Sequence, residues 1–465
     1  MLCHIDLSEG IAAMMGEPVG RQDRLFYEFD LEEVVPADHL LRKIDAVLDL
    51  SWLRGELKPY YSHLGCPSIC PELMVRMLLV GYCYSIRSER RLCEEVKANL
   101  VYRWFCGLGL EDKVPHHSSF SVNRHGRFRE SDILRKVFEE VVCGCMAAGL
   151  VGGEGFAVDA SVIEANASRF QRIEGAEVDW TPEQRARRPV QEYLVALESE
   201  NPPLNPDQPP KAMSPSDPAA AWTTRGRHKV MFAYSLNYLI DMEAPIIVDV
   251  EATPTRISKE VEAAETMVER TEERFELKPN HMAGDVAYGT GGLLGWLVDR
   301  KIDPHIPLWD RSERDDGTFS RSDFTYDKDN NLYICPGGKS LKTTGRVYGG
   351  RTIYYRASKR DCEVCPLKPH CCSKTPQRRI SRDVDQDARD YAQALMATEA
   401  YETSRQERKK IETLFAEVKH ILSRMRLRLR GLSGARDEFL LIATVQNLKR
   451  LAQHSAIPPP QPSTA

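Results

Sequence analysis

The spacing of apolar residues changes near residue 151, and this change restricts the folds that the chain can adopt. Before it, apolar residues recur every three or four positions, which is typical of helices. After it, short apolar runs alternate with helical segments, which is typical of an α/β sheet. We expect helices in residues 36–53, 71–85, 88–100, 130–150, 182–198, 259–275 and 291–301. We expect strands in residues 152–165, 230–241, 245–254, 281–289 and 304–309.

These patterns predict four parts of the chain. An N-terminal segment (1–29) precedes an all-helical domain (30–150), an α/β domain (151–455) and a disordered tail (456–465). Two insertions interrupt the α/β domain: residues 166–224, which are rich in proline, and residues 311–400, which contain a group of cysteines. Seven prolines in residues 201–218 exclude a helix there.

The helical domain contains the basic segment HHSSFSVNRHGRFR (116–129), with three arginines and three histidines. Short helices followed by a basic segment resemble a helix-turn-helix-like DNA-binding region. A plain helical bundle explains the apolar spacing equally well, so both interpretations stay open.

Composition predicts a cytoplasmic protein without a membrane span. The 465 residues contain no run of about 20 apolar residues, and the first residues do not read as a secretory signal. The thirteen cysteines are an odd number and lie mostly in apolar context, which suits a reducing compartment.

Although the net charge of the chain is −5, residues 405–430 are basic: they contain nine Lys and Arg but only three Glu. Within it, RMRLRLRG (424–431) alternates arginine with apolar residues. Such a run is either a surface for a polyanion or an exposed helix whose arginine stems cover apolar surface.

Two aspartates follow apolar strands. Asp159 ends the run GFAV, and Asp285 follows HMAG. An acid at the carboxyl end of a strand lies at the rim of a sheet, where ligand sites of α/β folds gather. Asp249, in IIVDVEA, is a competing candidate that lies inside a strand.

A third acid lies on a predicted helix, ERKKIETLFAEVKH (407–420). Arg408 precedes Glu412 by four residues and Lys419 follows it by seven, so all three point to one side of that helix. Carboxylates that converge on one point repel each other unless cations lie between them, and Mg²⁺ suits oxygen ligands beside a phosphate.

Three ordered motifs carry a resemblance: AVDASVIEANAS (157–168), AGDVAYGT (283–290) and RKKIETLFAEVKH (408–420). The chain resembles bacterial insertion-sequence transposases of the DDE class, with a ribonuclease-H-like catalytic core after an all-helical N-terminal domain. One branch of that class has the signature Tyr-x2-Arg-x3-Glu-x6-Lys. Arg408, Glu412 and Lys419 match it, while Arg405 stands at the Tyr position and Tyr401 lies four residues earlier.

The resemblance implies that Asp159, Asp285 and Glu412 hold Mg²⁺ (or Mn²⁺), with two ions in the site. It implies that Arg408, Lys419 and Arg405 contact DNA phosphates, and Tyr288 is a candidate for stacking on a DNA base.

The implied activity is metal-dependent cutting of the element ends, followed by joining of the freed 3′-hydroxyl to target DNA. The partners are the terminal inverted repeats and target DNA, bound by a homodimer or larger synaptic assembly in the bacterial cytoplasm at the nucleoid. Two alternatives remain: an inactive DNA-binding remnant or repressor, and a nuclease of the same fold that does not join DNA.

The cysteine group predicts a structural zinc site. Cys362 and Cys365 form a Cys-x2-Cys pair, and Cys335 with Cys371 or the adjacent Cys372 completes a four-thiolate set. Free thiols are the alternative interpretation.

Overall fold

The computed structural model describes residues 29–62, 68–174, 179–198, 211–224, 230–308, 317–423 and 425–455. Residues before 29, the tail from 456 and most of the proline-rich stretch 201–218 (up to 210) lie outside these ranges, and so do the predictions made for them. Within the described ranges, every helix is too short or too polar to cross a bilayer.

The described residues before 150 form helices and no strand, as predicted. They are α1 (Leu31–Val34), α2 (Leu40–Asp45), α3 (Leu53–Leu57), α4 (Pro71–Cys83), α5 (Glu89–Ala98), α6 (Leu100–Phe105), α7 (Ser118–His125), α8 (Arg127–Glu130) and α9 (Ile133–Ala147). A 3₁₀ turn spans Lys58–Tyr60. The single helix expected over 36–53 is wrong, because α2 and α3 are separate. Between them the side chain of Asp49 accepts a hydrogen bond from the Ser51 amide at 2.8 Å, which stabilises a turn.

The central sheet has the ribonuclease-H-like strand order that the resemblance implies. Its strands are β1 (Gly155–Glu164), β2 (Ala221–Thr223), β3 (Met231–Asp241), β4 (Ile247–Pro254), β5 (His281–Ala283) and β6 (Asp303–His305). The order β4–β3–β1–β5–β6 is antiparallel across β4, β3 and β1, and parallel across β1, β5 and β6. The short β2 extends the same edge of β3 that pairs with β4.

Helices cover both faces of the central sheet. They are α10 (Pro182–Arg185), α11 (Arg188–Leu197), α12 (Ile257–Phe275), α13 (Gly291–Asp299), α16 (Gln386–Leu395), α17 (Glu399–Glu407), α18 (Lys410–Ile421) and α19 (Leu432–His454). Helices α14 (Lys359–Glu363) and α15 (Lys368–Cys371) belong to a second sheet. On one face, Phe156, Val158 and Leu239 pack against α12 and α13.

The long helix α19 is the centre of the other face. It packs against β3 and β4 and also against α2, α4 and α9, so the N-terminal helices and the sheet share one apolar core. Tyr238 stacks on Phe415 of α18 with ring centroids 5.1 Å apart, and its hydroxyl donates to Gln446 of α19 at 2.8 Å. Helix α19 therefore holds the central sheet and the N-terminal helices in one body.

Residues 317–383 build a second, antiparallel sheet with its own small core. Its strands are β7 (Thr325–Asp327), β8 (Leu332–Ile334), β9 (Ser340–Tyr348), β10 (Thr352–Arg356) and β11 (Arg379–Asp383). Two short helices, α14 (Lys359–Glu363) and α15 (Lys368–Cys371), connect β10 to β11. The small core of this region includes the buried side chains of Phe324, Tyr333, Leu341 and Tyr355.

Candidate active site

The register between β1 and β5 brings two predicted acids together. Ala157 pairs with Ala283 at the last residue of β5, and Asp159 and Asp285 each follow two residues later. Because side chains alternate along a strand, both acids lie on the same face of the sheet, next to each other. Asp285 also accepts a hydrogen bond from the Ala287 amide at 2.8 Å, which begins a 3₁₀ turn over Val286–Tyr288.

The expectation that Asp159 ends its strand is wrong. Strand β1 continues to Glu164, because it stays paired with β3 through that residue. Its other neighbour, β5, ends at Ala283. Asp159 therefore lies in the middle of β1. It comes just after the last residue of β1 that pairs with β5, so this edge of β1 has no β5 neighbour at Asp159.

Arg408 contacts Asp159 directly. Its Nη1 donates to Oδ2 of Asp159 at 3.1 Å. The single helix expected over 407–420 is interrupted here, since α17 ends at Glu407 and α18 begins at Lys410. The Arg408–Lys409 turn uses i→i+3 hydrogen bonds, from Ile411 to Arg408 and from Glu412 to Lys409, each 3.0 Å long.

The other signature residues lie at the surface. Glu412 is exposed in the first turn of α18, and Lys419 is exposed near the end of that helix. Among the described residues, the Glu412 carboxylate has no hydrogen-bond or ion-pair partner. Arg405 is exposed and pairs with Glu402 at 2.9 Å. The structure thus brings together Asp159, Asp285 and Arg408, and it leaves Glu412 one helical turn away from Arg408 at the solvent edge.

The electrostatics around Asp159 suit a cation. The pKa of Asp159 is raised to about 6, mainly by burial; the Ala160 amide and Arg408 oppose the rise, and the charges of Asp285 and Glu260 contribute to it. Oxygen donors that repel one another are the donor set that a divalent ion stabilises. In the part of the chain that the structure describes, no three His, Cys, Asp or Glu side chains are already spaced to hold a metal ion.

Glu260 is a site residue that the sequence reasoning missed. It lies in the first turn of α12 and accepts a hydrogen bond from the Ser235 hydroxyl of β3 at 2.6 Å. Burial raises its pKa, and the charge of Asp285 adds to the rise. A topological signal was available: β4 ends at Pro254, level with Ile163 near the end of β1, so the helix that follows begins at the end of the sheet where β1 runs out past Asp159.

Tyr288 is not available to stack on a DNA base. Only 2% of the residue is exposed, and its ring belongs to the apolar cluster under α12 and α13. Its buried hydroxyl has no hydrogen-bond partner within the described chain. Burial and the charges of Asp159, Glu260 and Asp285 raise its pKa. The hydroxyl therefore lies among the acids, and the expected stacking role is wrong for this conformation.

Asp249, the competing candidate, is a structural residue. It is 2% exposed and forms ion pairs with Arg135 of α9 and Arg270 of α12, the latter at 2.7 Å. Both arginines approach from helices that flank β4. The carboxylate is thus fully engaged in joining the sheet to two helices.

The arginines of the basic segment 116–129 are also engaged inside the protein. Arg124 is buried and pairs with Glu89, and Arg127 lies 4.2 Å over the ring of Tyr61. Arg129 pairs with Glu192 at 2.6 Å. These three side chains stabilise contacts between helices in this structure.

The cysteines of the second sheet line one small pocket. They are Cys335, Cys362, Cys365, Cys371 and Cys372. The Cys335 sulfur accepts a hydrogen bond from the Lys339 amide at 3.3 Å. Burial and the neighbouring Cys372 raise the pKa of the Cys371 thiol to about 11. The donor chemistry fits zinc, although these thiols, like the acids, are not spaced as a closed metal site.

Comparisons with known proteins place both ends of the chain in transposase families. A family model described as a transposase domain (DUF772) matches residues 29–126, and one described as a transposase DDE domain matches residues 334–452. The second match includes Arg408, Glu412 and Lys419. A search of curated proteins found no match.

Among solved structures, the chain is similar to a piggyBac transposase in a cryo-EM structure of its synaptic complex with hairpin DNA. The two share 9% sequence identity over 89% of this chain and 74% of that chain, with a TM-score of 0.32. The two matches, to a transposase domain before the central sheet and to a transposase DDE domain after it, support a DDE-class transposase.

Proposed function

We propose that this DNA transposase cuts the ends of an insertion sequence and joins them to target DNA by metal-dependent phosphoryl transfer. The observation that carries the proposal is the β1–β5 register, which sets Asp159 beside Asp285 at an open sheet edge, with Arg408 on the same acid. Glu412, four residues after Arg408, would approach from the solvent side and supply the third carboxylate of the metal site.

Asp159, Asp285 and Glu412 would hold two divalent ions. When bound, such ions lower the pKa of water and neutralise charge on the attacking and leaving oxygens. Arg408 restricts the orientation of the Asp159 carboxylate through its 3.1 Å hydrogen bond. The exposed Lys419 is free to contact a phosphate of the bound strand.

The reaction needs no protein nucleophile. In the cutting step, a water oxygen bonds to phosphorus, and the bond from phosphorus to the 3′-oxygen breaks. In the joining step, the freed 3′-hydroxyl attacks a target phosphodiester, so again one P–O bond forms while one breaks. Because two ends have to be processed together, we also propose a homodimer or larger assembly on DNA.

The test is excision in cells from a plasmid that carries the gene with its native flanking DNA. Wild type is compared with Asp285→Ala, Glu412→Ala and the control Glu399→Ala, an exposed glutamate on α17. Thermal unfolding of each purified variant checks the fold. We expect excision by wild type and Glu399→Ala, and none by the other two.

Each contrary result has a definite meaning. Excision by Asp285→Ala overturns the proposed site, and full excision by Glu412→Ala removes Glu412 from it. Cut ends without joined products would identify a nuclease. DNA binding without cutting by the wild type would identify a remnant or repressor.

A further inference from the structure

The arginine-rich segment after α18 meets the edge of β1 at one β-bridge. The Glu164 amide donates to the Met425 carbonyl at 2.9 Å, and the Leu427 amide donates to the Glu164 carbonyl at 2.8 Å. This is a parallel bridge between Glu164 and Arg426. The exposed helix considered for residues 424–431 is therefore wrong.

The bridge fixes the position of the segment relative to the acids. At Glu164 the other edge of β1 is already paired with β3. The segment therefore lies on the edge that β5 leaves open after Ala283. Asp159 is located on this edge between the end of β5 and the bridge, five residues or roughly 17 Å of strand from Glu164.

Exposure alternates along the segment, although its backbone bends at Arg428 and Leu429. Arg426, Arg428 and Arg430 are exposed, whereas Leu427 is buried and Leu429 is half-buried. The three guanidinium groups thus lie at the surface, separated by leucines that are less exposed. We call these three residues the arginine row.

The backbone under the arginine row is held rigidly. Glu438 of α19 is fully buried and accepts the Arg428 and Leu429 amides at 2.6 and 2.7 Å. Arg87 of the N-terminal helices pairs with the same carboxylate at 3.0 Å. Asn166 donates to the Arg428 carbonyl at 2.6 Å. An anion therefore meets a row that is already ordered.

The positive charge of the row is little compensated. Arg426 has Glu164 at 3.7 Å, and Arg430 donates from Nε to the Asn166 carbonyl at 2.9 Å. Within the described parts of the chain, the Arg428 guanidinium has no ion-pair or hydrogen-bond partner. The row thus presents three guanidinium groups to solvent.

We propose that Arg426, Arg428 and Arg430 bind the phosphate backbone of the DNA strand that runs to the opening at Asp159 and Asp285. A DNA strand presents a regular series of phosphates, and each exposed guanidinium group can contact one of them. Arginine forks match phosphate oxygens bidentately. The inference rests on the proposed function, because it assigns DNA to the same sheet edge.

The test measures binding of a fluorescein-labelled 30-base-pair duplex of arbitrary sequence by anisotropy, over a series of KCl concentrations. The full-length chain is compared with the triple variant R426Q/R428Q/R430Q and with a control triple, R346Q/R360Q/R379Q, whose exposed arginines lie in the second sheet region. The single variant R428Q is included because the Arg428 guanidinium has no hydrogen-bond or ion-pair partner among the described residues, so its replacement should not disturb folding.

We expect the slope of log Kobs against log [KCl] to fall by about 2.7 for the triple variant and by about 0.9 for R428Q, at about 0.9 per phosphate contact. The control triple should keep the wild-type slope. A wild-type slope for R428Q and for the folded triple variant would overturn the arginine row. Because binding needs no cutting, excision by Asp285→Ala would overturn the active site and leave this result standing.

Discussion

Arg408 donates from Nη1 to Oδ2 of Asp159 at 3.1 Å, although 249 residues separate them in the chain. The contact ties the turn between α17 and α18 to the middle of β1. It therefore determines where Glu412, four residues later, stands relative to the two aspartates.

Replacing Arg408 with alanine should reduce cutting by about 100-fold, the scale measured for losing one charge-stabilising donor at a reacting centre. The ion pair is partly exposed, so the free energy of unfolding should change by less than about 1 kcal/mol. Cleavage of labelled element ends and urea unfolding measure the two quantities. Arg408→Lys should recover part of the activity, and wild-type cutting by Arg408→Ala would show that the pair has no catalytic role.

The variant Glu260→Gln should raise the Mg²⁺ concentration needed for half-maximal cutting by about 10-fold or more, as removal of groups behind metal ligands does. The amide oxygen can still accept the Ser235 hydrogen bond, so the fold should persist. Cutting is measured over a Mg²⁺ series. Glu265→Gln, on the same helix, is the control, and an unchanged Mg²⁺ requirement for Glu260→Gln would exclude Glu260 from the site.

The variant Asp249→Asn should destabilise the protein by about 3–5 kcal/mol, because it leaves Arg135 and Arg270 without their shared buried partner. Urea denaturation measures the change in the free energy of unfolding. The exposed pair of Glu402 and Arg405 supplies the control Glu402→Gln, which should have little effect. Cutting per folded molecule should stay near wild type, and a specific loss of cutting would return Asp249 to the list of catalytic acids.

Acid should destabilise the fold through His305. Its Nδ1 lies 2.7 Å from the Ser404 hydroxyl, and its ring stacks on His281 at 4.7 Å. Burial, and then His281, lower the pKa of His305 from 6.5 to about 4, while Asp303 partly opposes the change. Between those values the unfolded state binds more protons, so stability is present above pH 6.5 and is lost as the pH falls towards 4.

Urea unfolding at several pH values between 7 and 4 measures this dependence. The variant His305→Asn should weaken it, whereas His454→Asn, at the exposed end of α19, should leave it unchanged. An unaltered pH dependence in His305→Asn would assign the acid sensitivity to other groups.

The variant Cys362→Ser should lower both the zinc content, by about one ion per chain, and the melting temperature, by several degrees. Elemental analysis and thermal unfolding measure the two, with and without a chelator. Cys143→Ser is the matched control, since Cys143 is exposed on α9 and outside the pocket. If wild type contains no zinc, the five thiols are free and the predicted structural zinc site does not exist.

The sequence by itself determined the features that depend on local spacing. The long apolar runs around Ala157, Tyr238 and Val250 read as strands because burial on both faces needs continuous apolar residues. The helices at 71–83 and 257–275 followed from the 3.6-residue period. The identities of Asp159, Asp285 and Glu412 came from short motifs whose spacing needs no tertiary information.

Only the tertiary structure decided how these pieces meet. Strand register set Asp159 beside Asp285, and it cannot be inferred from either strand alone. A long-range bridge to Glu164 placed the arginine row against the edge of β1, although the same residues suit a helix. Partners distant in sequence also decided the surroundings of two further carboxylates: Glu260 accepts a hydrogen bond from Ser235 of β3, whereas Asp249 pairs with arginines.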